Sequence, residues 1–163
     1  MKAHSSVPHP KNPPAAAHEQ NLFEQLDGAL RRLMWTERRW LKQALADYEL
    51  DVVPFMLLMQ LLKHDDVCPM KELAQALDLP NATTTGYVDR LEQQDLVRRE
   101  FGNQQDRRQV RVHVTAQGRA FARRIKEQRR EYYRHALTHL AARDQEHFIK
   151  LLSAFLDKLE TVK

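Results

Sequence analysis

Three histidines have the spacing most suggestive of metal chemistry in this chain. His135 and His139 are four residues apart in a segment with helical periodicity, and His147 follows nearby. Two imidazoles at i and i+4 share one helix face, an arrangement that zinc accepts. However, Ala136 stands where a zinc hydrolase would carry its general-base glutamate. We therefore keep these histidines as weak metal candidates, expect no required cofactor, and retain a small metal-dependent hydrolase only as an alternative function.

The single cysteine, Cys68, is a second candidate for reactivity. It precedes Pro69 at the start of a predicted helix, where backbone N–H groups would lower the pKa of a thiol and permit oxidation sensing. A plain buried cysteine is the favoured alternative. One cysteine cannot form an internal disulfide, which agrees with a reducing compartment, and we expect a cytoplasmic protein.

Most other chemistry is excluded by what the sequence lacks. It has four glycines and neither the GxGxxG nor the GxxxxGK[ST] phosphate-binding pattern. No Ser-His-Asp or Cys-His arrangement is legible, so we expect no enzyme. No apolar run approaches the roughly eighteen residues that a membrane helix needs, so we expect no membrane partner.

Positive charge is concentrated in one part of the chain. The net charge is +4, yet residues 98–134 hold twelve Lys/Arg against four Asp/Glu, a local balance of +8. A solvated surface would mix the two signs, so this block favours double-stranded DNA as a partner. The stretch RRIKEQRREYYR within it, taken alone, fits a charged helix that only confers solubility equally well.

Periodicity predicts a mainly α fold with a small β-hairpin (α+β). Residues 1–18, with four prolines, are expected to be a disordered tail. Helical spacing predicts six helices, over residues 19–48, from 52 to about 63, 70–79, 81–94, 116–141 and from about 145 onward. The second, the fifth and the last of these are expected to be capped by Asp51, Thr115 and Asp144. Alternating residues predict strands near 97–101 and 110–114, joined by a polar loop.

The short helices at 70–79 and 81–94 are separated by Pro80, which forces a tight turn. The second helix begins with Asn81, Thr83, Thr84 and Thr85, which are poor helix formers but good hydrogen-bonding groups. This arrangement is typical of a helix-turn-helix that presents base-reading side chains, and a hairpin directly after it is a wing.

At this point the chain resembles the MarR family of bacterial transcription regulators. The resemblance is carried by KELAQAL, NATTTGYVDRLEQQDLVRR, the wing sequence DRRQVRVHVT, and Gly118 three residues after Thr115, and it covers residues from about 51 to 120. It implies a homodimer in which residues 19–50 and 116–163 form a helical dimerisation region, while residues 51–115 form the winged helix-turn-helix domain. The broad apolar stripes of the terminal helices also favour pairing with a second copy.

The resemblance also implies positions for the DNA contacts. Asn81, Thr83, Thr84 and Thr85 would lie nearest the major-groove base edges. The alternative is that Asn81 only caps the helix and that the threonines contact phosphates without reading sequence. Arg90 is expected to be structural or to contact phosphate.

In the wing, the family pattern suggests that Asp106 stabilises the hairpin by pairing with Arg108. Arg107 or Arg108 would then enter a minor groove, and the sequence leaves open which of them does so. Gly86, inside the second helix, marks close approach either to DNA or to a neighbouring helix.

Small aromatic effectors of this family usually bind between the dimerisation helices and the DNA-binding lobe. Trp35, Arg39, Tyr48 and Phe55 are the residues expected to line such a crevice, and the alternative is that these aromatics belong to the core. The resulting hypothesis is a ligand-responsive repressor that binds a pseudo-palindromic operator as a homodimer. A constitutive DNA-organising protein with little sequence preference is the main alternative.

Overall fold

The computed structural model describes residues 15–101 and 110–162, and it confirms a mainly α fold with a small sheet. The described elements, in chain order, are α1 (Ala15–Ala46), α2 (Val52–Leu61), β1 (Val67–Pro69), α3 (Met70–Ala76), α4 (Asn81–Gln93), β2 (Val97–Phe101), β3 (Val110–Val114), α5 (Ala116–Thr138) and α6 (Ala142–Thr161). None of the helices in this part of the chain is long and apolar enough to cross a membrane.

The chain divides into two compact units within α1, one ending at Gln43 and the other beginning at Ala44. In the first unit, α1 begins at Ala15, so the boundary expected at His18 is corrected: residues 15–18 are helical, and residues 1–14 lie outside the described part. Large apolar side chains on α1 are 38 to 73% exposed, namely Leu22, Phe23, Leu26, Leu33, Met34 and Trp35.

In the second unit, a three-stranded antiparallel sheet has the order β1-β3-β2. The strands predicted from alternation are confirmed, with Val97 opposite Val114 and Phe101 opposite Val110. The sequence did not predict β1, which pairs Cys68 with Val112. Three residues ending in a proline are too short to show a period of two, and a proline is tolerated because β1 is an edge strand.

The core of the second unit lies between α2, α4 and the sheet. The fully buried aliphatic side chains there are Leu57, Leu58 and Leu61 of α2, Val88 and Leu91 of α4, and Val112 of β3. The nearly continuous apolar run at residues 55–62 predicts a buried helix, and this is confirmed for α2, except that Met56 remains 50% exposed. This core holds α4 against the sheet by burial of apolar surface, the dominant favourable term in folding.

Two of the expected helix caps differ from the structure. Asp51 occupies the N-cap position of α2, but its side chain makes no capping hydrogen bond. Asp144 is not a cap; it lies in the first turn of α6, whose N-cap is Ala141. An acidic residue in a first turn still interacts favourably with the positive end of the helix dipole. Thr115 is confirmed as the cap of α5.

The apolar spacing in residues 116–141 predicts inward positions along the whole helix, but only the first half of α5 is buried. Phe121 and Ile125 are buried, but Ala136 and Leu140 are exposed and Tyr132 is half-buried. No residue of α6 is buried within the described chain. The apolar stripe of α6 is exposed to between 46 and 56% at Phe148, Leu151 and Leu156.

The start of α5 is fastened to the end of the winged region by Thr115 and Gly118. The Thr115 hydroxyl donates to the Asp95 carbonyl at 2.6 Å and accepts from the Gly118 N–H at 2.9 Å. Gly118 lies so close to β2 that a Cβ atom there would be 2.1 Å from the Leu96 carbonyl oxygen. Only glycine fits this approach, which explains the Thr-x-x-Gly spacing.

Gly118→Ala is expected to destabilise the protein by about 3 kcal/mol, since the new methyl group collides with backbone that cannot yield like a flexible side chain. The free energy of unfolding is measured by urea titration followed by circular dichroism.

Gly86→Ala is the matched control. A Cβ at Gly86 meets nothing within 4 Å, so the gain in helix propensity should stabilise the protein by about 0.5 to 1 kcal/mol. Equal midpoints for the two variants would contradict the packing assigned to Gly118.

Candidate nucleic-acid interface

A tight turn joins α3 to α4 and fixes the angle between them. Asp78 adopts a left-handed backbone conformation with a φ of 50°, which aspartate tolerates better than most residues. The Leu79 N–H then donates to the Ala74 carbonyl at 2.9 Å and closes the end of α3. Pro80 follows as the N-cap of α4. The helix-turn-helix predicted from the sequence is therefore present.

The N-terminal half of α4 separates the predicted base-reading residues into two groups. Asn81, Thr83 and Thr85 are exposed. Thr84 is 0% exposed, and its hydroxyl donates to the Pro80 carbonyl at 3.1 Å. Thr84 shares the face of α4 that carries Val88, four residues later, so it belongs to the core. Its predicted role as a base contact is wrong in this structure.

Thr85 remains available despite an internal hydrogen bond. Its hydroxyl donates to the Asn81 carbonyl at 2.9 Å, which leaves the oxygen lone pairs and the methyl group facing solvent. Gly86 is also exposed, and no neighbouring helix atom lies within 4 Å of its added Cβ. Of the two interpretations offered for Gly86, close approach to another helix is wrong within the described chain.

Arg90 has a partner inside the protein. Its guanidinium donates to the Asp51 carboxylate at 2.9 Å, linking α4 to the start of α2. Both side chains are more than half exposed, so the pair contributes little stability by itself. Of the two roles expected for Arg90, this geometry favours the structural one.

Arg99 of β2 holds the wing against α4, a role that the sequence analysis did not predict; we call this arrangement the clamp. Its guanidinium lies 2.5 Å from the Asp89 carboxylate and 2.9 Å from that of Glu92, and it also donates to the Thr85 carbonyl at 3.0 Å. The Arg99 backbone N–H donates to the other Glu92 oxygen at 2.9 Å. The Arg99 side chain is only 15% exposed, so these charge-assisted bonds are partly shielded from water.

A usable signal for this clamp was present in the sequence. Asp89 and Glu92 are three residues apart and therefore share one face of α4. An arginine a few residues later, on a strand that must fold back against that helix, is the natural counter-charge. The alternation around Arg99 predicts the strand but not this partner.

The tip of the wing lies outside the described residues, and with it Asp106, Arg107 and Arg108. The strands that carry the tip are described. Arg98 and Arg111 project from them and are exposed, and the Phe101 side chain at the end of β2 is 67% exposed. The described part of the wing thus adds two cations to the surface of the winged region.

Cys68 is buried rather than poised for reaction. It is 1% exposed in β1, and its thiol lies 3.5 Å from the Pro69 carbonyl oxygen and 4.0 Å from a Glu72 carboxylate oxygen. Burial, and then the negative charge of Glu72, raise the pKa of the thiol above its ordinary value. The depressed pKa expected at a helix N-terminus is therefore wrong, and the buried alternative holds.

The histidines do not converge on a common centre. The rings of His135 and His139 are 5.2 Å apart between centroids. Among residues 15–101 and 110–162, no group of three or more His, Cys, Asp or Glu side chains is placed to hold a metal ion.

The residues proposed for an effector crevice fall in different settings. In the first unit, Trp35 and Arg39 line a depression of about 480 Å³ together with Arg38 and Lys42. Trp35 is 73% exposed there.

In the second unit, the Tyr48 and Phe55 rings lie 4.6 and 6.0 Å from the Phe121 ring. Tyr48 also lines a cavity of about 370 Å³ with Phe121. Phe55 is 8% exposed and belongs to the core.

Comparison with known proteins finds a family match within the winged region. The sequence model of the MarR family matches residues 48–109, which include α2 to β2. A sequence search of curated proteins finds no match.

Solved structures with the same fold extend the similarity beyond that segment. A MarR family protein from Bacillus stearothermophilus has 22% identity and a TM-score of 0.74, covering 87% of this chain and 98% of that one. A mutant MarR from E. coli complexed with operator DNA has 21% identity and a TM-score of 0.61, covering 85% and 96%. A MepR mutant from S. aureus bound to an oligodeoxyribonucleotide has 21% identity and a TM-score of 0.63, covering 81% and 96%.

Removing the clamp should weaken the fold. Arg99→Ala is expected to cost about 2 kcal/mol, because Asp89 and Glu92 lose their shared counter-charge and face each other across one turn of helix. Chemical denaturation gives the change in unfolding free energy.

Arg98→Ala, on the exposed side of the same strand, is the control and should change stability by less than about 0.5 kcal/mol. A loss of stability in Arg98→Ala as large as that in Arg99→Ala would argue against the clamp.

Cys68 should resist alkylation in the folded protein. At neutral pH the raised pKa keeps the thiol protonated, and burial blocks the reagent, so iodoacetamide should react roughly 100-fold more slowly than with the urea-unfolded chain. Mass spectrometry at timed intervals measures the modified fraction. Comparable rates in the two states would show that the thiol is accessible.

Proposed function

We propose that this chain, in which residues 48–109 match the sequence model of the MarR family, is a member of that family and a DNA-binding transcriptional regulator that represses its targets as a ligand-responsive homodimer. The observation that carries the proposal is the surface of α4. Asn81, Thr83 and Thr85 are exposed on a helix held against the wing by Arg99. A helix that is fixed to a wing and presents small polar side chains suits the major groove.

Two structural relatives support this use of the surface. The E. coli MarR mutant is complexed with operator DNA, and the S. aureus MepR mutant is bound to an oligodeoxyribonucleotide. Both share the fold of this chain. By analogy, α4 would lie in the major groove, and Arg107 or Arg108 of the wing would reach the neighbouring minor groove.

Uncovered apolar surface supports the homodimer. In the second unit, α6 carries an apolar stripe but buries none of its residues. In the first unit, α1 exposes large apolar side chains, including Phe23 and Trp35. Exposed patches of this extent mark an interaction surface, and a second copy of the chain is the partner that always accompanies it.

The depression beside Trp35 supports an effector that is an aromatic acid. An indole there is combined with the cations Arg38, Arg39 and Lys42. A flat aromatic body would stack on the indole, and a carboxylate would pair with arginine. In the second unit, Tyr48 lines a cavity of its own with Phe121, and Phe55 lies in the core.

The proposed regulation acts through the spacing of two winged regions. A dimer that binds a pseudo-palindrome needs its two recognition helices about one helical turn, or 34–36 Å, apart. The proposed effector binds more tightly to dimers whose recognition helices are separated by a different distance. Such an effector lowers the fraction of dimers that fit the operator. DNA affinity would then fall and repression would be relieved.

Loss of an α4 side chain should reduce sequence selectivity. Thr83→Ala is expected to weaken binding to DNA flanking the protein's own gene by roughly 10-fold, with little change for random duplex, because base contacts specify and phosphate contacts do not. Fluorescence anisotropy with unlabelled competitor measures both affinities, and Thr161→Ala on α6 is the control.

The same titrations test the alternatives. Two chains bound per duplex supports the homodimer, and lower affinity with an aromatic acid supports the effector. Equal affinity of the unmodified protein for flanking and random DNA would overturn the sequence-specific regulator and favour a DNA-organising protein.

A further inference from the structure

One face of α5 carries a row of exposed cations that the proposed contacts of α4 and the wing do not use. We call this row the α5 stripe. Its members are spaced at i, i+4, i+7, i+11 and i+15, and all are exposed: Arg119, Arg123, Lys126, Arg130 and Arg134. Residues 119–134 as a whole hold seven Lys/Arg against two Glu.

The α5 stripe points away from the protein core. The buried residues of α5 include Phe121, Ala122 and Ile125. Successive residues of a helix are rotated by about 100° about its axis. The mean direction of these buried side chains therefore differs from the mean direction of the stripe by more than a right angle. With a rise of about 1.5 Å per residue, the stripe is about 22 Å long. It is therefore a straight, solvent-facing line of positive charge.

Internal ion pairs neutralise only part of the stripe. Arg119 lies 2.9 Å from Asp66, Arg130 lies 3.9 Å from Glu127, and Arg134 pairs with Glu131.

The last two pairs are highly exposed, so they bind weakly and can be exchanged for another anion. Within residues 15–101 and 110–162, no carboxylate lies within ion-pair distance of Arg123 or Lys126. The middle of the stripe thus carries uncompensated charge.

The start of the stripe is joined rigidly to the recognition helix. The Gln117 side-chain amide donates to the Gln94 carbonyl, directly after α4, at 3.0 Å. Thr115 binds the Asp95 carbonyl in the same turn, and the Arg119 guanidinium also donates to the Val114 carbonyl at 3.1 Å. A polyanion bound by the stripe is therefore held in a fixed relation to α4.

We infer that the α5 stripe binds the phosphate backbone of duplex DNA, as a sequence-independent contact added to those of α4 and the wing. This inference rests on the proposed function as a DNA-binding protein. The cations of the stripe are about 6 Å apart. The two strands of duplex DNA together present one phosphate charge about every 1.7 Å along the axis of the duplex, so several phosphates lie within reach of the row. Arginine and lysine bind such phosphates and release condensed counterions.

Duplex DNA fits this surface better than a membrane. A helix that lies on a bilayer needs large apolar side chains beside its basic face. In the first half of the stripe, the large apolar residues Phe121 and Ile125 are buried on the other side of α5. The exposed neighbours there are Ala120 and Glu127, which offer no surface to insert into lipid.

The test measures how DNA affinity depends on salt. The probe is a random-sequence duplex of mixed composition, long enough to extend past a single half-site. Each phosphate contact contributes about 0.9 to the slope of log affinity against log salt concentration, so Arg123→Gln/Lys126→Gln should reduce that slope by about 1.8. Glutamine retains helix propensity, and both sites are exposed, so the fold should persist.

Arg143→Gln/Lys150→Gln on α6 is the matched control, because it removes two exposed cations from the same unit without touching the stripe. Its slope should equal that of the unmodified protein. A slope unchanged in the α5 variant, or reduced equally in both variants, would overturn the role of the stripe while leaving the proposed function intact.

A different result would overturn the proposed function itself. If the unmodified protein binds neither this duplex nor the DNA flanking its gene at any salt concentration, both proposals fail together. Binding of the stripe to vesicles containing anionic lipid, with no change in the DNA slope, would identify a membrane surface as the partner instead.

Discussion

The arrangement of the winged region depends on the approach of α5 to the carbonyl of Leu96. At this point the end of α4, the beginning of β2 and the end of β3 all meet the first turn of one long helix. The approach is closer than any side chain allows, so glycine at position 118 is a geometric requirement. The Thr115 hydroxyl then satisfies backbone groups from two of these elements. Each element is thereby positioned by the same few atoms.

The basic residues of this region form two groups, one paired with carboxylates of the protein and one without such partners within the described residues. Arg99, Arg90 and Arg119 are each paired with carboxylates from another part of the chain. Arg123 and Lys126 lack such partners within the described residues. A count of basic residues does not distinguish these two groups, yet only the second can attract an external anion without breaking an internal pair.

Patterns among residues close together in the sequence were sufficient to predict most of the fold. The alternation at 97–101 and 110–114, the proline at position 80 and the cap at Thr115 each express a constraint between residues close in sequence, and all three are observed. What could not be predicted depends on distant partners. The burial of Thr84 follows from its sharing a face with Val88, but its polar type resembles that of its exposed neighbours.

The same distinction explains the other differences. Asp51 stands in a cap position, but its carboxylate accepts from Arg90, 39 residues away along the chain, instead of from the backbone of α2. Cys68 was expected at a helix terminus with a lowered pKa, but it lies in β1 opposite Val112, where burial and then the charge of Glu72 raise the pKa of its thiol. Within the described chain α6 buries none of its residues, and the surface proposed to cover its apolar stripe belongs to a second copy, which one sequence alone does not show.

The buried position of the sole cysteine has a practical consequence for studying movement in this protein. A cysteine introduced at an exposed site would be the one thiol that a maleimide fluorophore or a spin label reaches readily, with no need to delete the native one. Two labelled copies in a dimer would then carry a symmetric pair of probes. The distance between those probes would report the separation of the winged regions directly in solution, with and without DNA.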